Sequence, residues 1–183
     1  VTQQKQREDA LRASEERFTL AVRGSSDGIW DWNVLTNEVY YSPRFKELLG
    51  YADDEMDNVF AAFESRLIPE DVQRVHDALR EHFERHVPYD IEYRLRTKSN
   101  EYRWFRARGQ AVWDDAGRPT RMAGSISDMT EQKRSQRRFE LAVHASPVAL
   151  LIVDDAGRIR LVNAQFERDF GYLAAELLGE SVE

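Results

Sequence analysis

Tyr102-Arg103-Trp104-Phe105-Arg106-Ala107-Arg108-Gly109-Gln110-Ala111-Val112-Trp113 is a long run rich in aromatic residues, and it favours an extended backbone. Asp114-Asp115-Ala116-Gly117 follows, a turn cluster in which Gly117 can take a positive φ. The chain then returns through Thr120-Arg121-Met122-Ala123-Gly124-Ser125-Ile126-Ser127, so the two runs predict an antiparallel hairpin. At Asp128-Met129-Thr130-Glu131 the pattern changes. An acidic residue followed three positions later by Glu resembles a capping box and marks a helix start. A sheet therefore hands over to a helix without a flexible linker, and Asp128, Thr130 and Glu131 form the junction expected at the output end of the domain. The Asp128 carboxylate is expected to cap the first helical turn and to pair with Arg103 or Arg106, and the Thr130 hydroxyl to hold the same turn.

Working outward, Asp90 to Arg96 alternates, with Ile91, Tyr93 and Leu95 on one face, and Lys98-Ser99-Asn100-Glu101 turns it into the central hairpin. Pro69 opens a longer helix that sets Val72, Val75, Leu79 and Phe83 on one side, with Pro88 closing it. Further upstream, Ile29-Trp30-Asp31-Trp32-Asn33 and Glu38-Val39-Tyr40-Tyr41 read as a strand pair joined by Leu35-Thr36-Asn37. Ser42-Pro43 then starts a short helix that ends at Gly50. Residues 3–22 read as a polar helix whose apolar seam is sparse, with Leu11 and Phe18 seven apart, broken at Gly24-Ser25-Ser26-Asp27-Gly28. It is either a solvated lead-in or a dimerising helix. Two strands, helices, then three strands fit an α+β domain: a five-stranded antiparallel sheet covered by helices on one face.

The chain then repeats itself. Arg17-Phe18-x-Leu20-Ala21-Val22-x-x-Ser25 recurs as Arg138-Phe139-x-Leu141-Ala142-Val143-x-x-Ser146. Phe45 recurs as Phe166 and Gly50-Tyr51 as Gly171-Tyr172, every pair 121 positions apart. A constant offset indicates a tandem domain. The second copy has its own strand pair, Ala149 to Val153 and Ile159 to Asn163, around Asp154-Asp155-Ala156-Gly157. It reaches Glu183 before any counterpart of the long helix or central hairpin, so the chain is expected to belong to a larger protein.

Arg103-Trp104-Phe105, the Asp-Asp-Ala-Gly turn, Gly124-x-Ile126 and Asp128-Met129-Thr130 resemble the C-terminal half of a Per-Arnt-Sim (PAS) sensor domain with its PAC segment. Gly28-Ile29-Trp30-Asp31-Trp32 and Gly50-Tyr51 match upstream. The resemblance implies strand order 2-1-5-4-3 and flanking signalling helices. Its expected divisions are a linker helix at 1–16, a PAS domain with PAC segment at 17–131, a connector at 132–138 and the first part of a second PAS domain at 139–183. It also implies a sensory module of a bacterial sensor histidine kinase or, alternatively, a diguanylate cyclase, homodimeric through the flanking helices.

Composition narrows the chemistry. The net charge of −7 argues against nucleic-acid binding. With no cysteine there is no disulfide, and the family's flavin–cysteine adduct cannot form; the composition fits a reducing, cytoplasmic setting. No apolar run is long enough to span a bilayer, although the parent protein could carry an anchor elsewhere. No phosphate-cradling loop, phosphoacceptor-histidine motif or paired catalytic carboxylates occur, so no catalytic or metal site is expected. A small ligand could sit between sheet and helices, against some of Trp30, Trp32, Tyr40, Phe45, Leu49, Val75, Leu79, Tyr93, Trp104, Met122 and Ile126. Some of these must face the other side, and a packed core with no ligand, as in a dimerisation spacer, is the competing reading. His82 and His86, four apart, are the candidates for a haem-sensing alternative, against a plain exposed helix end. His76 is expected at the edge of the apolar stripe. A noncovalent flavin is the remaining cofactor option, and none is predicted.

Overall fold

The computed structural model describes residues 26–182 and, ahead of them, Gln4, Lys5, Arg7, Arg12, Ala13, Thr19, Leu20 and Gly24. Those eight are helical, but Leu11, Phe18, Ala21, Val22 and Ser25 lie outside the described residues. Two compact units divide between Thr130 and Glu131.

In the first unit, strands β1 (Gly28–Asn33), β2 (Val39–Tyr41), β3 (Tyr89–Arg96), β4 (Tyr102–Trp113) and β5 (Pro119–Asp128) build one sheet. Its order is β2-β1-β5-β4-β3, and every neighbouring pair is antiparallel. The central hairpin pairs Phe105 with Asp128 and Gly109 with Gly124, ending in an irregularity between Val112 and Trp113. Helices α1 (Pro43–Leu48), α2 (Phe60–Glu64) and α3 (Pro69–Arg85) lie between β2 and β3 in the chain. Alternation decides which side chains meet the helices. Trp30, Trp32, Val39, Tyr41, Tyr93, Leu95, Phe105, Ala107, Met122 and Ile126 are buried in one core with Phe45, Leu49, Val75 and Leu79.

The opposite sheet face is polar and paired. Asp31 accepts two bonds from Arg121, and Asp90 accepts from Arg106 Nε and Nη2 at 2.7 and 2.6 Å. Arg94 lies over the Trp104 ring at 5.0 Å.

Two glycines meet across β4 and β5 for a packing reason. A Cβ on Gly109 would stand 2.6 Å from the Trp30 ring, and one on Gly124 2.5 Å from the same ring and 2.1 Å from the Arg108 carbonyl oxygen. The bare backbone leaves the room that the indole fills.

α3 does not end as the sequence suggests. Its stop is His86, left-handed at φ 57°, rather than Pro88. The His86 N–H returns to the His82 carbonyl at 3.1 Å, the 5→1 bond of an αL cap, and the Val87 N–H reaches the Glu81 carbonyl at 3.4 Å. Glycine usually occupies that position. Here the imidazole stacks on Trp113 with ring centroids 4.3 Å apart, which offsets the strain.

The second unit contains β6 (Leu151–Val153), β7 (Ile159–Val162), α5 (Ala164–Phe170) and α6 (Ala174–Leu177). Helix α4 (Thr130–Ala145) includes the stretch 132–138 that was expected as a connector. The 121-residue offset extends to hydrogen bonds. Ser42 Oγ accepts from the N–H groups of Phe45 and Ile29 at 3.2 and 2.9 Å. Asn163 Oδ1 accepts from those of Phe166 and Leu150 at 3.0 and 2.9 Å, the same contacts one repeat later. Because serine and asparagine differ as letters, the pattern of identities does not reveal this shared cap, although both are N-cap residues.

Candidate functional site: an aromatic pocket beneath the sheet

The pocket follows from the alternation of β1, β2 and β3 and from the apolar faces of α1 to α3. It is lined by Trp30, Trp32, Val39, Tyr41, Phe45, Phe60, Phe63, Leu79, Tyr89 and Tyr93, and its cavity volume is about 30 Å³, room for about one or two waters. Every lining residue except Val39 and Leu79 is aromatic, and none is charged at neutral pH. Trp32 stacks on Phe60 with centroids 4.5 Å apart and planes 22° from parallel. Phe63 meets Tyr93 edge-on at 5.4 Å, as does Trp30 with Tyr89 at 6.4 Å. The Tyr41 hydroxyl donates to the Val59 carbonyl at 3.1 Å. Burial pushes the Tyr41, Tyr89 and Tyr93 phenols up from their ordinary range, so all three stay un-ionised. The buried indole N–H groups of Trp30 and Trp32 have no hydrogen-bond partner. Trp113, by contrast, donates its indole N–H to the Phe83 carbonyl at 3.0 Å.

The candidate ligand contacts therefore sort by face and depth. Trp30, Trp32, Phe45, Leu79 and Tyr93 line the space. Leu49, Val75, Met122 and Ile126 are buried in the surrounding core and do not line it. Tyr40 and Trp104 are corrections. Each is one residue out of phase with its strand's buried positions, so Tyr40 is 57% exposed and Trp104 lies on the polar sheet face. Val39, Tyr41, Phe60, Phe63 and Tyr89 were missed as lining residues. Tyr89 was readable as one more step of the Tyr93, Ile91 alternation, whereas the short α2 carrying Phe60 and Phe63 has no periodic signal.

The histidines are the second correction. His82 is no exposed helix end; it is 1% exposed. Its Nδ1 lies 2.6 Å from the Val87 carbonyl oxygen, and Ala111 N–H donates to its Nε2 at 3.0 Å. A carbonyl can only accept and an amide can only donate, so the ring is neutral and protonated on Nδ1. With both nitrogens used, His82 does not fit an axial ligand. His86 stacks flat on Trp113, and neither histidine lines the pocket. His76 pairs with Glu64 at 2.6 Å. Among the described residues no group of three or more His, Cys, Asp or Glu is placed to hold a metal ion.

The junction is a compact lattice at the end of the sheet. The Met129 N–H donates to the Trp104 carbonyl at 2.8 Å, and the Trp104 N–H donates to Thr130 Oγ1 at 3.1 Å. The Thr130 N–H donates to Asp128 Oδ1 at 2.8 Å, and Arg103 stands 4.0 Å from the other Asp128 oxygen. Thr130 thus ties the helix start to β4 rather than bonding within its own turn. Glu131 pairs with Arg138 at 2.8 Å instead of closing a capping box, and Arg106 is taken by Asp90.

A five-stranded antiparallel sheet in this order, with its helices and pocket on one face, defines the PAS class of sensory domains. The PAS fold matches residues 38–126 and again residues 137–183. This chain belongs to the PAS family and is a sensory module of signal transduction. It is 44% identical to a sensory box histidine kinase/response regulator from Burkholderia thailandensis, covering 69% of this chain and 94% of that one at a TM-score of 0.62. It is 30% identical over 174 residues to the sensor protein FixL of Bradyrhizobium diazoefficiens, and 26% identical over 186 residues to the probable diguanylate cyclase DgcE of Escherichia coli. Those stretches are 91% and 98% of this chain but only 34% and 17% of the two relatives. Among the described residues no helix is long and apolar enough to cross a membrane.

Proposed function

We propose that this chain is the ligand-sensing input of a larger bacterial signalling protein. A small molecule occupies the aromatic pocket, and the Asp128–Met129–Thr130 junction passes the change to α4. The observation that carries the reading is the aromatic-lined pocket under the sheet, walled by Trp30, Trp32, Phe45, Leu79 and Tyr93. The kinase relatives support a histidine kinase as the output, and the DgcE relative supports a diguanylate cyclase as the second choice. Residues 17–131 form the sensory domain and 139–183 the first part of a second one. The working form is a cytoplasmic homodimer joined through the flanking helices.

The test has two parts. Small molecules are extracted from the purified chain and identified by mass spectrometry. Residues 1–138 are also grafted ahead of a histidine kinase core, and Leu79→Trp is introduced to fill the pocket. A copurified molecule displaced by Leu79→Trp, with altered kinase output, is the expected result. An empty pocket whose filling leaves the output unchanged means that the domain is a dimerisation spacer.

A further inference from the structure

The end of the sheet that carries the junction is also the end where β1 begins. We propose that Asp27 and Ser127 form a clasp that makes the entering chain a second input to the junction, so that a displacement arriving at Ser26 reaches Asp128 and Thr130 without passing through the pocket. The proposal rests on the junction of the reading above and not on its ligand.

β1 starts at Gly28 and β5 ends at Asp128, and the two strands lie side by side and antiparallel. Their register ends with Gly28 opposite Ile126. One step past that last pair, the Ser127 hydroxyl donates to the Asp27 carboxylate at 2.7 Å. Both residues are half-buried, and a hydroxyl on a carboxylate at this length is a strong bond. Its partners stand 100 positions apart in the chain. On its other side the same tip of β5 is held by β4, with Ser127 opposite Arg106 and Asp128 opposite Phe105. Asp128 Oδ1 then accepts the Thr130 N–H at 2.8 Å. Ser127 therefore stands between the entry of the chain and the carboxylate that holds its exit.

The entry is stiff enough to transmit a displacement. The Ser26 carbonyl accepts from Arg44 Nε at 3.2 Å, and the Ile29 N–H donates to Ser42 Oγ at 2.9 Å. Between them a Cβ on Gly28 would stand 2.5 Å from the Phe45 Cα, so the base of β1 packs backbone to backbone against α1. Movement at Ser26 is thus handed to packed, hydrogen-bonded elements, which carry it where a loose turn would absorb it. One branch leads into α1. The other runs through Asp27, Ser127, Asp128 and Thr130, none of which lines the pocket.

Amide hydrogen exchange of the whole chain, followed residue by residue by NMR with no ligand added, tests the clasp. Asp27→Ala removes the acceptor and Ser127→Ala the donor, while Ser127→Thr keeps a hydroxyl. Each alanine variant should speed exchange at Met129 and Thr130 by roughly five- to tenfold, the scale of one hydrogen bond, and leave the buried Ala111 amide at its wild-type rate. The double alanine variant should match either single one, because both remove the same bond. Ser127→Thr should restore the wild-type rates. Coupling is reciprocal, so Asp128→Ala should speed exchange at Ile29 while Ser127 is present and no longer do so in Ser127→Ala. Unchanged Met129 and Thr130 rates in Asp27→Ala overturn the proposal, as do additive effects in the double variant. An equal rise at Ala111 overturns it too, since the pair would then be a general fastening of the sheet. Each of these results leaves the pocket reading standing, because the extracted-ligand experiment decides that separately.

Discussion

His82 joins the end of α3 to β4, so replacing it tests the core of the domain. In His82→Leu the bulk is nearly kept but both bonds are lost. The Ala111 N–H, in a buried bond, is left without an acceptor, which costs about 1–3 kcal/mol. The Val87 carbonyl lies at a half-exposed residue and is partly rewetted, so its loss adds no more than about 1 kcal/mol. The expected destabilisation is about 1–4 kcal/mol, a large share of the 5–15 kcal/mol typical of a domain. Urea unfolding followed by tryptophan fluorescence is the assay. At a slope of about 2 kcal/mol/M the midpoint should fall by about 0.5–2 M with the slope unchanged. His82→Gln can still place an acceptor near Ala111 and should fall between Leu and wild type. A His82→Leu midpoint within about 0.3 M of wild type would refute the bridging assignment.

Three further outcomes follow from the same structure. Burial alone would raise the Asp71 carboxyl, but bonds from Arg94 and Arg74 outweigh it and hold it at about 2 instead of 3.8. Its stabilisation is therefore present above pH 4 and lost as the pH falls toward 2. After screening through half-exposed Arg74 this is worth roughly 1–2 kcal/mol, and an Asp71→Asn variant should show a correspondingly flatter acid limb in pH-dependent urea melts. At the junction, Thr130→Val removes the acceptor for the Trp104 N–H and Asp128→Ala the acceptor for the Thr130 N–H. Each should cost about 0.5–2 kcal/mol and shift the basal output of the grafted kinase; unchanged stability and output would make the junction a mere tether. In the second unit few apolar side chains beyond Val143, Ile159 and Val162 are buried, while Val148, Phe170, Tyr172, Leu173 and Leu178 are exposed. Its amides should exchange faster than those of residues 28–128 by mass spectrometry, and equal protection in a chain shown to be monomeric by sedimentation contradicts this.

The sequence alone determined the strand pairs, the turns and the repeat, because these are local. Alternation, the Asp-Asp-Ala-Gly clusters and a constant offset are readable within a few residues or by aligning the chain with itself. The sheet order came from family resemblance, since antiparallel strands distant in sequence leave no mark of who pairs with whom. Only the tertiary structure decided which aromatic residues share a space. Alternation puts Trp30 and Trp32 on one face and Tyr40 on the other, yet it does not say which face the helices cover. His82 makes the point most directly. On a helix map it sits near a frayed, polar end, and its burial depends on Ala111 arriving from a strand 29 positions away. The partnerless indoles of Trp30 and Trp32 belong to the same category, for a missing partner becomes visible only when every neighbour is in place.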